Sequence, residues 1–219
     1  MAIILNGIPS IILIFAAYKI NMIEIPKNVK GLIFDLDGTI ANTMQNHFLS
    51  WREAVSPFGI DFTAELFKSL TGKPREATIL KLNEQFGTNM DPVAVGKVKG
   101  DTFKKMVNQT KEISIVADVV RKYHNVLPMS VGTGSTKNGA KKTLEVIEMT
   151  HFFDIVITAN DIENSKPHPE TFLKCAELMK INPNDCIVFE DGILGMQAAE
   201  TAGMQVIDVN EYFKMEFTV

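Results

Sequence analysis

Residues 31–43 read GLIFDLDGTIANT. An apolar run enters, two aspartates stand either side of Leu36, and Gly38 turns the chain. The run, extended back to VKGLIF (29–34), has the length and character of a buried strand. A buried strand ending in two carboxylates is costly, because burial and mutual repulsion both disfavour ionisation. That cost points to a task such as holding a cation or attacking an electrophile.

Working outward, the strand pattern recurs. NVLPMSVGT (125–133), FDIVIT (153–158), DCIVFED (185–191) and MQVIDV (204–209) read as four further strands. Helical patterns over 136–149, 168–180 and 192–202 lie between them. Short apolar strands separated by helices of ten to fifteen residues predict an α/β fold, a Rossmann-like parallel five-stranded core sheet with helices on both faces. Residues 44–112 break the rhythm. MQNHFLSWREAVSPFG places Phe48, Trp51 and Val55 at helical spacing. TAELFKSLTG, REATILKLNEQFG and a segment over 92–110 are helical too. This predicts an all-helical domain inserted after the first strand, entered near Asn42–Met44 and left near Lys111–Ser114. The expected division is an apolar extension at 1–21, an α/β core of 22–43 and 112–219, and a helical cap of 44–111.

Composition bounds the function. A net charge of −4 argues against a general nucleic-acid binder, which needs a basic face. Cys175 and Cys186 have no metal-like spacing and read as reduced, buried small hydrophobes, consistent with a cytoplasmic protein. MAIILNGIPSIILIFAAYKI (1–20) is apolar but interrupted, short for a membrane span and without a basic stretch ahead of it. Upstream sequence before a start at Met22 is the favoured reading, against a weak anchor or an extra packed or disordered segment.

In a parallel sheet ligands bind beyond the carboxyl ends of the strands, at a switch point in strand order. Those ends read Asp35-Leu36-Asp37-Gly38-Thr39, Thr133-Gly134-Ser135-Thr136, Ser165-Lys166-Pro167 after the third strand, and Glu190-Asp191-Gly192. Each alone has a plain reading. Asp37-Gly38 is a turn, Thr133-Gly134-Ser135 a helix cap, Lys166 a solvated charge, and Glu190-Asp191 a cap for the next helix. Together, in this order, coincidence explains them poorly.

DLDGT, the strand-ending Thr133, SKPHP with Lys166, and FEDGILGMQAAETAGM resemble the four motifs of the haloacid dehalogenase superfamily, from about Gly31 to Val209. The insertion is similar to the helical cap of its beta-phosphoglucomutase-like branch. The resemblance implies Asp35 as nucleophile forming an aspartyl-phosphate. Asp37 would be the general acid and base. Mg²⁺ would be held by Asp35, the backbone carbonyl of Asp37, and Asp191, with Glu190 beside it. Lys166 would balance developing charge, and Thr133 would bind a phosphoryl oxygen, with Gly134 and Ser135 next to it. In the cap, His47 lies near the hinge. LTGKPREAT (70–78), with Thr71, Gly72, Lys73 and Arg75, is similar to the branch's substrate-selecting loop, and Lys99 takes a substrate-contacting place. Lys73 and Lys99 read equally well as solvated surface charges. Arg75 is better placed, since a guanidinium grips phosphate oxygens bidentately. Trp51 and Phe48 read as cap core, His151 as packing or capping at the third strand, and His168 as exposed in a first helical turn.

Two departures matter. Asn42-Thr43 stands where the family often has an aspartate before the hydroxyl residue, and Thr71 where the mutase has a lysine. VGTGS (131–135) and TFLKCA (171–176) are shared with sugar-phosphate phosphatases of the branch. The expected function is therefore a Mg²⁺-dependent phosphatase of small phosphorylated metabolites, sugar phosphates first. A beta-phosphoglucomutase is the alternative within the same chemistry. A non-catalytic receiver-like phosphorylation switch is the alternative of another class, and a membrane-associated binding protein rests on residues 1–20 alone. The expected partner is a small phosphorylated metabolite, with no nucleic acid or membrane, and a monomer is expected.

Overall fold

The computed structural model describes residues 23–214. The apolar extension and the Met22 start lie outside the described residues. Five strands form one parallel sheet in the order β3-β2-β1-β4-β5: β1 Gly31–Phe34, β2 Met129–Gly132, β3 Ile155–Ile157, β4 Cys186–Glu190 and β5 Gln205–Asp208. Chain order runs outward from β1 in both directions, so the switch point falls at its carboxyl end, where Asp35 and Asp37 stand.

Alternation along the strands builds two core layers. Leu32, Phe34, Ile187 and Phe189 face α5 (Ser114–Tyr123) and α6 (Lys137–Val146), through Val116, Ala117, Val120, Ala140 and Leu144. Ile33, Val188 and Ile157 face α7 (Glu170–Met179) and α8 (Ile193–Thr201), through Phe172, Cys175, Ala176, Ala198 and Ala199. Both faces of β1 and β4 are buried, which is why they read as unbroken apolar runs.

The cap consists of α1 (Met44–Val55), α2 (Ala64–Leu70), α3 (Arg75–Phe86) and α4 (Pro92–Met106). It has its own core, in which Phe48, Trp51, Phe62, Phe67, Ile79 and Leu82 are buried. Trp51 and Phe48 are core residues, as their spacing predicts. The two crossings pair with each other: Asn42 N donates to Lys111 O at 2.9 Å, and Ile113 N to Ile40 O at 2.7 Å. Asn46 Nδ2 adds a bond to Thr110 Oγ1 at 3.0 Å.

Three local expectations are corrected. The second strand is shorter than 125–133. Asn125 has φ +63°, and Asn125–Pro128 form a connection, because Pro128 lacks the amide a central strand would use. His168 is exposed but precedes its helix, which starts at Glu170; its Nδ1 accepts from Glu170 N at 3.3 Å. The helix α5 is absent from the pattern read above, although Val116, Val119 and Val120 line its buried face. His151 lies in a short turn ahead of β3 with its ring 4.0 Å from that of Phe152. Among the described residues no helix is long and apolar enough to cross a membrane.

Candidate active site

β1 delivers Asp35 buried at its carboxyl end, its amide donating to Phe189 O at 2.9 Å. Lys166 reaches it from the segment after β3, with Nζ 2.7 Å from Asp35 Oδ1 and 2.7 Å from Glu190 Oε1. The ammonium also lies 4.6 Å from the centre of the Phe172 ring. Burial pulls the Lys166 proton affinity down, but its two carboxylates outweigh this and hold it above the ordinary lysine value. Burial pushes Asp35 up to about 7, opposed by Lys166 and reinforced by Glu190 and Asp37. Asp191 is likewise raised well above the usual carboxylate range, by burial first and then by Glu190 and Asp35.

Asp37, two residues on, lives in a different setting. Oδ1 accepts from Thr43 Oγ1 at 2.7 Å and lies 3.3 Å from His47 Nε2; Oδ2 accepts from Ser135 Oγ at 2.6 Å. Burial disfavours its charge. The His47, Ser135 and Thr43 contacts overcome this and hold the carboxyl well below its ordinary range. So two aspartates on one strand end are driven apart, the pattern by which acid–base and nucleophilic roles are divided.

The turn after Asp37 is shaped by close approach. Gly38 has φ +92°, and a Cβ there would lie 2.4 Å from Asp191 Oδ2. Thr39 Oγ1 donates to Asp191 Oδ1 at 3.1 Å, and Asn210 Nδ2 to Asp191 O at 2.7 Å. Glu190 Oε2 accepts from the amides of Asp191 and Gly192 at 2.8 and 2.6 Å. Its other oxygen takes Lys166. Thr133 is buried at the end of β2, with Oγ1 accepting from Ser135 N at 3.0 Å and its own proton left to donate. Beside it, a Cβ on Gly134 would meet open space.

Asp35, Glu190 and Asp191 offer ligand atoms within 4.8 Å of one another. Two buried carboxylates and a half-buried one share a single lysine, and all-oxygen donors suit a hard divalent cation such as Mg²⁺. The donor set therefore fits the ion. The Asp37 carboxylate is committed to Thr43, Ser135 and His47, which leaves its backbone carbonyl as the part the resemblance assigns to the metal.

From the cap, His47 on α1 joins this centre. Its Nδ1 lies 2.7 Å from Lys99 Nζ on α4, and its ring stacks on Phe103 with centroids 4.4 Å apart. Burial lowers the Lys99 pKa to about 8, with Arg75 helping and Asp37 opposing. Lys99 is thus no solvated charge. Arg75 opens α3 and donates to Gly96 O at 3.3 Å. A Cβ on Gly96 would fall 2.8 Å from Arg75 Nε, so a larger residue there would shift the arginine side chain. Gly72 touches the core at Leu194. Thr71 donates to Phe67 O within the cap, and Lys73 is exposed. Thr43, Thr39 and Asn210 are site residues that sequence reasoning missed. The first two are hydroxyls two to six residues from Asp37, a weak signal. Asn210 carries none.

An aspartate pair split in this way, with a lysine counter-charge and a cation-fitting acid cluster, is the working equipment of a phosphoric monoester hydrolase. Comparison with known proteins agrees. Residues 32–209 match the haloacid dehalogenase-like hydrolase family, and the chain belongs to it. A fructose-1-phosphate phosphatase of Escherichia coli is 38% identical, over 82% of this chain and 95% of that protein. A beta-phosphoglucomutase of Bacillus subtilis is 25% identical, over 82% of this chain and 84% of that protein. Among solved structures, a beta-phosphoglucomutase from Clostridium difficile superposes with a TM-score of 0.74 at 25% identity, covering 84% of this chain and 86% of that one. Family membership sets aside the receiver-like switch.

Proposed function

We propose that the protein is a Mg²⁺-dependent phosphatase of small phosphorylated metabolites, sugar phosphates first, acting through an aspartyl-phosphate on Asp35. The observation that carries this reading is the split between the two aspartates: Asp35 packed against Lys166, and Asp37 contacted by Thr43, Ser135 and His47. The name of the Escherichia coli relative supports the substrate class.

Asp35 attacks phosphorus, the bond to the leaving oxygen breaks, and that oxygen takes a proton from Asp37. Lys166 offsets the charge on the phosphoryl oxygens, and Thr133 donates a hydrogen bond to one of them. A bound Mg²⁺, held by Asp35, Asp191 and the Asp37 carbonyl, would supply charge neutralisation between the nucleophile and the phosphate. Asp37 then takes a proton from the attacking water as the acyl-phosphate is hydrolysed. That proton serves the leaving oxygen of the next turnover. Arg75, Lys99 and His47 form the cap side, where the rest of the substrate binds. Residues 44–111 act as the cap, on linkers at Asn42–Met44 and Lys111–Ser114. Buried free Cys175 and Cys186, the former with its thiol pushed up to about 12 by burial, accord with a reducing cytoplasm.

The second reading, a mutase, is favoured by the Bacillus subtilis relative. A panel with Mg²⁺ decides between them: fructose 1-phosphate, glucose 6-phosphate, 2-deoxyglucose 6-phosphate, and β-glucose 1-phosphate with a bisphosphate primer. Free phosphate and sugar isomers are followed for wild type and Asp35→Asn. Phosphate release that the variant abolishes is expected. Isomerisation of β-glucose 1-phosphate without net release would replace the phosphatase reading.

A further inference from the structure

Between Ile157 at the end of β3 and Glu170 at the start of α7 the chain forms no helix or strand. Of the described residues 159–169, Lys166 alone is buried. Such a segment has little apolar surface with which to hold itself. Yet it places Lys166 Nζ 2.7 Å from both Asp35 Oδ1 and Glu190 Oε1. Polar ties hold it instead. Thr158 N and Oγ1 donate to Asp161 Oδ2 at 2.9 and 2.6 Å, and Lys174 Nζ donates to Asp161 O at 2.6 Å. Glu170 takes the stretch nearest Lys166. Its Oε1 accepts from Glu163 N at 2.9 Å, and its Oε2 accepts from Asn164 N and Asn164 Nδ2 at 2.9 and 3.0 Å. Lys174, one turn along α7, pairs with Glu170 Oε1 at 2.9 Å. The Glu163 amide, the Lys174 ammonium and the Asn164 amide hold the Glu170 carboxyl down at about 2, so it is charged across the neutral range. The helix itself is fixed on the sheet by Phe172, Cys175 and Ala176, and the Phe172 ring lies 4.6 Å from Lys166 Nζ.

We propose that Glu170 is a positioning residue: it clamps residues 163–164 to α7 and so sets where Lys166 stands between Asp35 and Glu190. The kinetic consequence rests on the aspartyl-phosphate reading above; the placement of Lys166 does not. A carboxylate that accepts from two amides and a side-chain N–H is a strong and directional tie, because each of these bonds is charge-assisted. Asn164 lies two residues before Lys166. Freeing its amide therefore lets a short span of exposed chain move with the lysine at its end. A displacement of about 1 Å can cost a reaction about 10²-fold when it misplaces a group that acts on the reacting atoms. Lys166 is such a group, since it offsets the charge on the phosphoryl oxygens. Glutamine at position 170 keeps the length and one acceptor oxygen, whereas alanine keeps neither.

The test uses the full chain in Mg²⁺ buffer as wild type, Glu170→Ala and Glu170→Gln. Two chemical labels are read by mass spectrometry. The N-hydroxysuccinimide ester of acetic acid reports Lys166, with the exposed Lys141 as reference, and N-ethylmaleimide reports the buried Cys175 on α7. Steady-state kinetics with the best substrate of the panel is the third readout. Glu170→Ala is expected to raise Lys166 labelling severalfold while Cys175 stays protected, and to lower kcat about 10- to 100-fold with KM changed far less. Glu170→Gln should fall between alanine and wild type in both. Unchanged Lys166 labelling in Glu170→Ala overturns the clamp. Labelling of Cys175 together with Lys166 means that α7 has left the sheet, and a plain structural role then replaces the positioning one. Raised Lys166 labelling with an unchanged kcat overturns the kinetic consequence. A wild type that turns over nothing in the panel refutes the phosphatase reading, while the labels still judge whether Glu170 holds Lys166 in place.

Discussion

Asp35→Asn removes activity under the reading above, and it should also stabilise the metal-free protein at alkaline pH. Burial, Glu190 and Asp37 lift the Asp35 carboxyl from its ordinary 3.8 to about 7 against the pull of Lys166. The folded state therefore holds a proton there that the unfolded chain has lost. Between about pH 4 and pH 7 the folded state binds more protons, so stability falls as pH rises. At about 1.4 kcal/mol for each tenfold in proton affinity, the full effect above pH 7 is on the order of 4 kcal/mol. Asparagine is neutral throughout and escapes this cost but gives up the charged pairing with Lys166. A net gain of about 1–3 kcal/mol at pH 8 is expected from the balance. His47, whose pKa is lowered chiefly by burial, acts in the opposite direction below about pH 6.5, but it does so in both proteins. Asp37, held low, matters only in more acid solution. Urea unfolding at pH 5 and pH 8 with a chelator gives the comparison. The wild type should lose more stability than the variant between the two, and added Mg²⁺ should recover more of it in the wild type. Parallel pH profiles for the two proteins would refute the reasoning, because they would mean that Asp35 is not the crowded carboxylate.

Gly195→Ala should cost about 3–5 kcal/mol, the range for breaking a buried charge pair. Its Cβ would fall 1.6 Å from Glu190 Oε1, the atom that holds Lys166, so chemical unfolding close to wild type would show that Glu190 has another place to go. Arg75→Ala should raise the KM of the preferred sugar phosphate about 10- to 100-fold with kcat little changed, the loss of a charge-assisted hydrogen bond. Steady-state kinetics with an unchanged KM would return Arg75 to its structural contact with Gly96.

Much of this site was legible before any coordinates. Asp35, Asp37, Thr133, Glu190 and Asp191 each stand at or just beyond a strand end, with Lys166 in the segment after β3, and strand ends announce themselves by where an apolar run stops. The parallel sheet followed from alternation, and the cap from its interruption. What was not legible lies in pairings across long stretches of chain. Ser135 meets Asp37 across 98 residues, and Thr39 meets Asp191 across 152. Neither hydroxyl differs in sequence from one that caps a helix. The helix α5 was lost between the crossing at Lys111–Ser114 and the strand reading that begins at Asn125.

By itself, then, the sequence determined the order of the five strands and the residues with reactive side chains, because both are written in local periodicity and residue type. The tertiary structure alone decided how each carboxylate is used. Burial beside Glu190 raises Asp35, while three donors hold Asp37 down. It also decided that Lys99 is a half-buried partner of His47 and that Gly72 rests on Leu194. Proton affinity and contact depend on which distant groups share a volume of low dielectric, and that is settled only when the cap and the sheet are brought together.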